Sequence, residues 1–220
     1  MSAWPGKYVI GLTGNIATGK SVVRKMLEHL GAYGIDADAL AHRAIAPGAP
    51  GYQPVIDLFG KWLLANDGQI DRARLAKIVF SDKEALSQLE QIVHPLVEHA
   101  VDLLIRRSKH KVVVIEAIKL FEGKLVSQCD SVWVTYAPEE VQLKRLLEKR
   151  GMTEKVARQR IAAQAPQKEK LEKADQVIAN NGSFEDTWLK VYAAWIAKFP
   201  EEEAATDQEV KQGELVVQRA

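Results

Sequence analysis

Cysteine is nearly absent from the sequence, since Cys129 is the one thiol among 220 residues. A single thiol cannot form a disulfide within its own chain, which excludes a disulfide-stapled secreted domain and suits a reducing compartment. Long hydrophobic runs are missing as well, because no stretch approaches the roughly 18 apolar residues that cross a bilayer. The opening segment MSAWPGK lacks the apolar core of a signal peptide. These absences predict a cytoplasmic protein with no membrane partner.

The chain also lacks an excess of charge of one sign, with 30 Lys and Arg against 29 Asp and Glu. A net charge near zero argues against a general nucleic-acid-binding protein. Two segments depart from this balance. Residues 142–173 hold ten Lys or Arg against four Glu. Their larger part, from about residue 150 to 173 and called the basic segment below, is predicted to be either a mobile lid or a charged pair of surface helices. Residues 201–220 hold six acidic and two basic residues, which predicts a flexible acidic tail.

Several specificity motifs are missing too. The five histidines show no ligand spacing with Cys129 or with one another, so we predict no zinc site. The sequence contains no convincing guanine-specificity motif of the N-K-x-D kind and no ABC-type signature. These absences argue against two classes of nucleotide-binding protein, the GTPases and the ABC transporters.

What is present is typical of one soluble α/β domain. Apolar residues make up 47% of the chain, which is enough to bury a sizeable core. Five short apolar runs alternate with helical segments and predict a five-stranded parallel sheet flanked by helices. These runs are KYVIGL, AYGIDA, KVVVIEA, DSVWVTY and ADQVIAN. Between the second and third runs, residues 39–110 include an amphipathic stretch from Lys83 to about Arg107, and an insertion of this size predicts a substrate-binding lobe.

The first strand leads into a P-loop motif, G-x-x-x-x-G-K-[ST], which a helix follows. Glycines in such a loop let successive backbone N–H groups point inward and form an anion-binding nest at the start of the helix. The lysine adds a charge at the β- and γ-phosphates, and the serine hydroxyl can ligate Mg²⁺. We therefore predict a triphosphate site formed by Gly14, Asn15, Ile16, Ala17, Thr18, Gly19, Lys20 and Ser21.

A P-loop does not say what receives the γ-phosphoryl group. The second apolar run ends at Asp36 and Asp38, whose side chains would face the same way if the strand continued through both. One of them could accept a proton from an acceptor hydroxyl, or either could cap the following helix. Glu116, at the end of the third run, occupies either a Walker B position or an ordinary strand end. Hydrolase, switch and kinase all stay open on these residues.

Seven segments in order carry a family resemblance. They are GLTGNIATGKS, GIDADALAHRAI, GQIDRARLAKIVF, the dipeptide His94-Pro95, QLKRLLEKRGMT, RIAAQ and ADQVIANNG. Together they resemble the dephospho-CoA kinase family over about residues 9–195. The resemblance implies a P-loop NTPase-type kinase domain, residues 1–200, followed by the acidic tail at 201–220. Its parts would be a core at 7–38, 111–149 and 174–200, a helical CoA-binding lobe at 39–110 and a lid at 150–173.

The resemblance also implies an activity. The γ-phosphoryl group of Mg-ATP would pass to the ribose 3′-hydroxyl of dephospho-CoA, in the last step of coenzyme A synthesis. By motif position, Asp38 would be the general base and contact the substrate. Lys20 would hold the phosphates, and Ser21 would ligate Mg²⁺.

The basic segment gains a role from the same resemblance. Arg145, Arg150 and Arg160 would surround the transferring group or the nucleotide as the lid closes, since a guanidinium matches phosphate oxygens in charge and geometry. His94 would either contact the substrate or orient the long helix. The expected partners are ATP and dephospho-CoA, and the expected assembly is a monomer or a weak homo-oligomer.

The chain departs from the family pattern at two places. Ala117-Ile118-Lys119-Leu120 stands where the family commonly has Pro-Leu-Leu, and Asn15 and Ala17 stand where glycines are frequent. Two other functions remain open on the residues alone. One is another small-molecule P-loop kinase that acts on a nucleoside or nucleotide, and the other is a nucleotide-dependent switch or binding module.

Overall fold

The computed structural model describes residues 3–202 and contains a five-stranded sheet. Its strands are Tyr8–Gly14 (β1), Tyr33–Asp36 (β2), Val112–Glu116 (β3), Ser131–Tyr136 (β4) and Gln176–Ala179 (β5). The order across the sheet is β2-β3-β1-β4-β5. β4 and β5 run parallel, with Val134 opposite Val177. All five apolar runs form strands, which confirms the predicted α/β class.

Helices fill most of the remaining described chain. They are Lys20–His29 (α1), Ala37–Ala44 (α2), Tyr52–Phe59 (α3), Arg72–Ser81 (α4), Lys83–Arg107 (α5), Glu139–Arg150 (α6), Glu154–Ala162 (α7), Gln167–Glu172 (α8) and Phe184–Lys198 (α9). Short 3-10 turns occur at Lys61–Leu63, Leu120–Glu122, Lys124–Gln128 and Pro200–Glu202. α5 spans the amphipathic stretch predicted as a long helix. No helix among residues 3–202 is long and apolar enough to cross a membrane.

The basic segment forms the helix pair α7 and α8, and whether it also moves as a lid stays a prediction. The acidic tail is described only at Glu201 and Glu202, which belong to the last 3-10 turn. The rest of the tail, residues 203–220, lies outside the described residues.

The middle strands explain why the apolar runs are continuous rather than alternating. All five residues of β3 are buried, as are six of the seven residues of β1. Strands covered by helices on both faces bury every side chain, so each position favours an apolar residue. β2 does not pair with β1, because β3 lies between them.

The described part of the chain divides into two compact units, residues 3–11 with 35–130 and residues 12–34 with 131–202. In the first unit, α2 packs on α5 and β3, and α3 and α4 pack on α5. In the second unit, α1 and β5 pack on α9, α6 packs on α7, and α8 packs on β4. The P-loop therefore belongs to the second unit, whereas the carboxylates at positions 36 and 38 belong to the first.

Cys129 is partly buried in the first unit, and its thiol donates a hydrogen bond to the carbonyl of Leu125 at 3.3 Å. Burial, and then the negative charge of Asp130, raise the pKa of this thiol to about 12. The thiol is therefore protonated and inert near neutral pH.

We expect a thiol reagent such as DTNB to react slowly with the native protein at pH 8 and fully with the urea-unfolded protein. Because the chain has one cysteine, the amount of DTNB that reacts measures the accessibility of Cys129 alone. Glutathione in the same buffer gives the reference rate. A native rate close to that of glutathione would show that the thiol is not masked.

Candidate active site

The P-loop connects the end of β1 to the start of α1, and two of its glycines are sterically required. Gly14 has φ 150° and Gly19 has φ 96°, values that side-chain-bearing residues rarely adopt. A Cβ atom added at Gly14 would collide with Thr135, and one added at Gly19 would collide with Asn180. The motif glycines therefore permit both the turn and the close packing of neighbouring strand ends.

Ala17 has a strained backbone within this loop. Its φ of 58° is left-handed, and it is the one residue other than glycine with a positive φ in the described chain. A left-handed conformation costs an alanine roughly 1–2 kcal/mol. A glycine at this position would adopt the same conformation without that cost.

The side chains of Lys20 and Thr18 fold back onto the loop. The ammonium of Lys20 donates hydrogen bonds to the carbonyls of Gly14 at 3.0 Å and Asn15 at 3.1 Å. Thr18 is fully buried, and its hydroxyl contacts the Thr135 hydroxyl at 2.7 Å and the Asn15 carbonyl at 2.8 Å. The Thr18 side chain is therefore used within the protein, and the Lys20 ammonium lies against the backbone of the loop.

Asn180, which follows β5, connects the loop to α6 and α9. Its side-chain amide donates to the carbonyl of Thr18 at 3.0 Å. Its side-chain oxygen accepts from Arg145 at 3.0 Å and from the Thr187 hydroxyl at 3.1 Å. This buried side chain thereby uses its donor and its acceptor to fix three parts of the second unit.

Arg145 lies on α6 and reaches the loop, while its contact with the transferring group stays a prediction. It donates to the carbonyls of Ala17 at 3.1 Å and Asn180 at 3.0 Å. Desolvation lowers the pKa of its guanidinium, which nonetheless stays charged near neutral pH. The site therefore keeps a fixed positive charge beside the loop.

The connection between α7 and α8 also contacts the loop. The backbone N–H of Ile16 donates to the side-chain oxygen of Gln164 at 2.6 Å. The side-chain amide of Asn15 donates to the carbonyl of Ala165 at 3.0 Å. Arg150 and Arg160, in contrast, are exposed, and neither side chain makes a hydrogen bond or ion pair in the described structure.

Sequence reasoning missed Asn180 and Gln164 as site residues. Both are neutral amides, whereas charged side chains and the loop motif itself are what indicate a phosphate site in a sequence. The sequence could have indicated Asn180, because this residue directly follows a predicted strand and ligand sites in parallel sheets lie at the carboxyl ends of the strands. Gln164 belongs to the segment RIAAQ, which carries part of the family resemblance, but no local pattern indicates that its side chain contacts the loop.

In the first unit, β2 ends at Asp36 and α2 begins at Ala37, so the two acidic side chains have different surroundings. Asp36 caps α2 by accepting the N–H of Ala39 at 2.8 Å. Asp38 lies in the first turn of α2 and accepts the N–H of Ile118 at 3.2 Å. The expectation that both carboxylates share one face of a strand is wrong, because the helix starts between them.

Asp38 lines a cavity of about 240 Å³ whose walls come from α2, α5 and residues 117–125. The walls are mainly apolar, and their polar members are Asp38, Glu90, His94, Glu98, Lys119 and Lys124. Lys119 and Glu90 form an ion pair across 2.7 Å. An apolar cavity with a few charged groups is typical of a small-molecule site.

The P-loop at the end of β1, in a five-stranded α/β sheet, places the chain among the proteins with a P-loop NTPase-type fold. The chain belongs to the dephospho-CoA kinase family, since the family model matches residues 8–186. It is 48% identical over 182 residues to the dephospho-CoA kinase of Carboxydothermus hydrogenoformans, covering 81% of this chain and 88% of the relative.

Solved structures agree with this assignment. The crystal structure of TT1252 from Thermus thermophilus superposes on this chain with a TM-score of 0.77 at 31% sequence identity. The match covers 87% of this chain and 97% of that one. The dephospho-CoA kinase of Campylobacter jejuni has a TM-score of 0.54 at 29% identity, covering 86% and 96%. The predicted family and fold are therefore confirmed.

Replacing Asn180 tests its place at the centre of the second unit. Asn180→Ala removes the hydrogen bonds that the side chain makes with the Thr18 carbonyl, Arg145 and the Thr187 hydroxyl, while Arg145 keeps the backbone carbonyls of Ala17 and Asn180 as acceptors. We therefore expect the free energy of unfolding to fall by roughly 1–3 kcal/mol. Urea unfolding measures the change. Its exposed neighbour Asn181 offers a matched control, and Asn181→Ala should stay within about 0.5 kcal/mol of wild type. Equal stability of the two variants would contradict this role.

Proposed function

We propose that this protein transfers the γ-phosphoryl group of ATP to the ribose 3′-hydroxyl of dephospho-CoA, which yields coenzyme A and ADP. The observation that carries the proposal is the different use of two neighbouring carboxylates. Asp36 is taken up as a helix cap, whereas Asp38 faces a cavity large enough to admit part of a nucleotide-like acceptor. Family membership supplies the identity of that acceptor.

The donor groups belong to the second unit. The P-loop backbone and Lys20 would hold the phosphates of Mg-ATP, and the fixed charge of Arg145 would stabilise the transferring group. Mg²⁺ takes most of its ligands from phosphate oxygens and water, so one protein hydroxyl, that of Ser21 in the first turn of α1, fits the metal carried by ATP. When bound, the metal neutralises charge on the β- and γ-phosphates.

The acceptor groups belong to the first unit. Asp38 would take the proton of the 3′-hydroxyl as that oxygen attacks the γ-phosphorus and the bond to the β-phosphate oxygen breaks. The N–H of Ile118 holds one carboxylate oxygen of Asp38 and so orients the group. Buried Glu116, at the end of β3, remains a candidate for a Walker B role.

The two remaining segments take the roles that the family implies. Residues 39–110 would form the CoA-binding lobe, because α2 and α5 supply walls of the cavity, including His94 as a substrate contact. Residues 150–173 would form the lid, whose exposed Arg150 and Arg160 carry no competing ion pair. The reaction requires one copy of each group, so a monomer or a weak homo-oligomer would suffice.

An assay that supplies Mg-ATP with dephospho-CoA, nucleosides or nucleoside monophosphates separates this proposal from the other P-loop kinase. Phosphorylation of dephospho-CoA with little turnover of the others is the expected result. Folded protein that leaves dephospho-CoA unchanged would refute the proposal. Slow ATP hydrolysis that no acceptor accelerates would favour the switch.

Asp36 and Asp38 allow a test of whether Asp38 is the general base. Asp38→Asn should lower kcat by about 10²–10⁴-fold, because the amide cannot accept the proton, and should leave the KM for ATP unchanged. Asp36→Asn makes the same chemical change two residues away, and asparagine caps helices as well as aspartate does. Its steady-state rates should therefore match wild type. A nearly wild-type kcat in Asp38→Asn would remove this residue from the base role.

Ser21 can be tested through the metal requirement. Ser21→Ala removes one proposed Mg²⁺ ligand, so the Mg²⁺ concentration for half-maximal rate should rise by about tenfold or more at fixed ATP. Ser21→Thr keeps the hydroxyl and fits the motif, so it should retain the wild-type requirement. Identical Mg²⁺ titrations for the alanine variant and wild type would argue against ligation by Ser21.

A further inference from the structure

The connection between α7 and α8 is attached to the phosphate-binding loop at two points. Gln164 accepts the backbone N–H of Ile16 at 2.6 Å, and the carbonyl of Ala165 accepts the side-chain amide of Asn15 at 3.0 Å. The contacts join residues about 150 positions apart in the chain, so they are tertiary contacts rather than a local turn. Both belong to the second unit.

The side-chain hydrogen bond of Asn15 is made by its amide nitrogen and not by its side-chain oxygen. Its side chain is buried, and its side-chain oxygen has no hydrogen-bond partner in the described structure. An unpartnered buried acceptor is unfavourable, and a glycine at this position would avoid it. The contact with Ala165 is thus what the asparagine adds to this chain.

A third contact lies directly after the connection, at the start of α8. The side-chain amide of Gln167, at the start of α8, donates to the carbonyl of Ala137, which follows β4. The connection and the start of α8 are therefore both held against the residues that follow β1 and β4. Arg160 lies only four residues before Gln164, so the attachment also limits where this arginine can reach.

We infer that Gln164 and Asn15 are positioning residues that clamp the basic segment, residues 150–173, to the phosphate-binding loop and keep Arg160 near the nucleotide. The inference rests on the proposed function for its link to catalysis. The clamp keeps the loop and the segment ordered before ATP arrives, which spares the nucleotide the cost of ordering them. Movement of the segment would then occur around a fixed point at residues 164–165.

A different role for Gln164 would change the ATP affinity in the opposite direction when the side chain is removed. If Gln164 merely occupied the Ile16 N–H until a phosphate displaced it, its removal would strengthen ATP binding. The clamp predicts weaker binding. The direction of the change in ATP affinity therefore decides between the two.

The test uses the full chain with Gln164→Ala, and with Gln159→Ala as the matched control on the exposed side of α7. A single hydrogen bond contributes about two- to tenfold to an equilibrium constant. We expect the Kd for a non-hydrolysable ATP analogue and the KM for ATP to rise by that factor in Gln164→Ala, with the KM for dephospho-CoA unchanged. Gln159→Ala should match wild type in all three.

Limited trypsin digestion supplies a readout that does not depend on activity, because the segment holds many Lys and Arg residues. Cleavage within 150–173 should be about two- to tenfold faster in Gln164→Ala, since the freed segment opens more often. Gln164→Glu keeps an acceptor for the Ile16 N–H and should be cleaved at the wild-type rate. Asn15→Gly should accelerate cleavage by about twofold.

Unchanged analogue affinity with unchanged cleavage in Gln164→Ala would overturn the clamp, as would tighter analogue binding. Cleavage of Gln164→Glu as fast as that of Gln164→Ala would do the same. Failure of the wild-type protein to phosphorylate dephospho-CoA would instead refute the proposed function, and the analogue binding and digestion results would still decide on the clamp.

Discussion

The buried amide of Asn180 is the interaction on which the phosphate-binding half of the molecule depends. One side chain satisfies a carbonyl of the loop, the guanidinium of Arg145 and the hydroxyl of Thr187. Its position also explains the motif, because any side chain at Gly19 would occupy the space of this amide. The P-loop is therefore shaped by the strand end beside it as much as by its own glycines. A loop held in this way can present its N–H groups without first being ordered by the ligand.

The acceptor half follows from a boundary between two elements. Because β2 stops at Asp36, this residue becomes the cap of α2, and the cap sets where the helix begins. The helix then carries Asp38 to the cavity. Two acidic residues with the same chemistry thereby acquire separate tasks, one in folding and one that we assign to proton transfer. The assignment comes from their surroundings and not from their residue type.

Much of the fold could be predicted from the sequence because short local patterns of apolar residues indicate the strands and the helices. Central strands buried on both faces require continuous apolar runs, and α5 shows its length through amphipathic spacing. The order of strands has no such local pattern, so the separation of β2 from β1 by β3 could not be foreseen. The same limit applied to the site. Lys20 and Ser21 belong to a contiguous motif, whereas Gln164 and Asn180 reach the loop from about 150 positions away, through neutral groups.

The masked thiol of Cys129 makes the protein convenient for optical work. A cysteine introduced at an exposed site, for example in place of Gln159 on α7, would be the reactive thiol of the native protein. A fluorophore could then be attached there selectively with the natural cysteine left in place. The burial that makes Cys129 chemically silent thus opens the basic segment to direct observation of its motion during turnover, including at the level of single molecules.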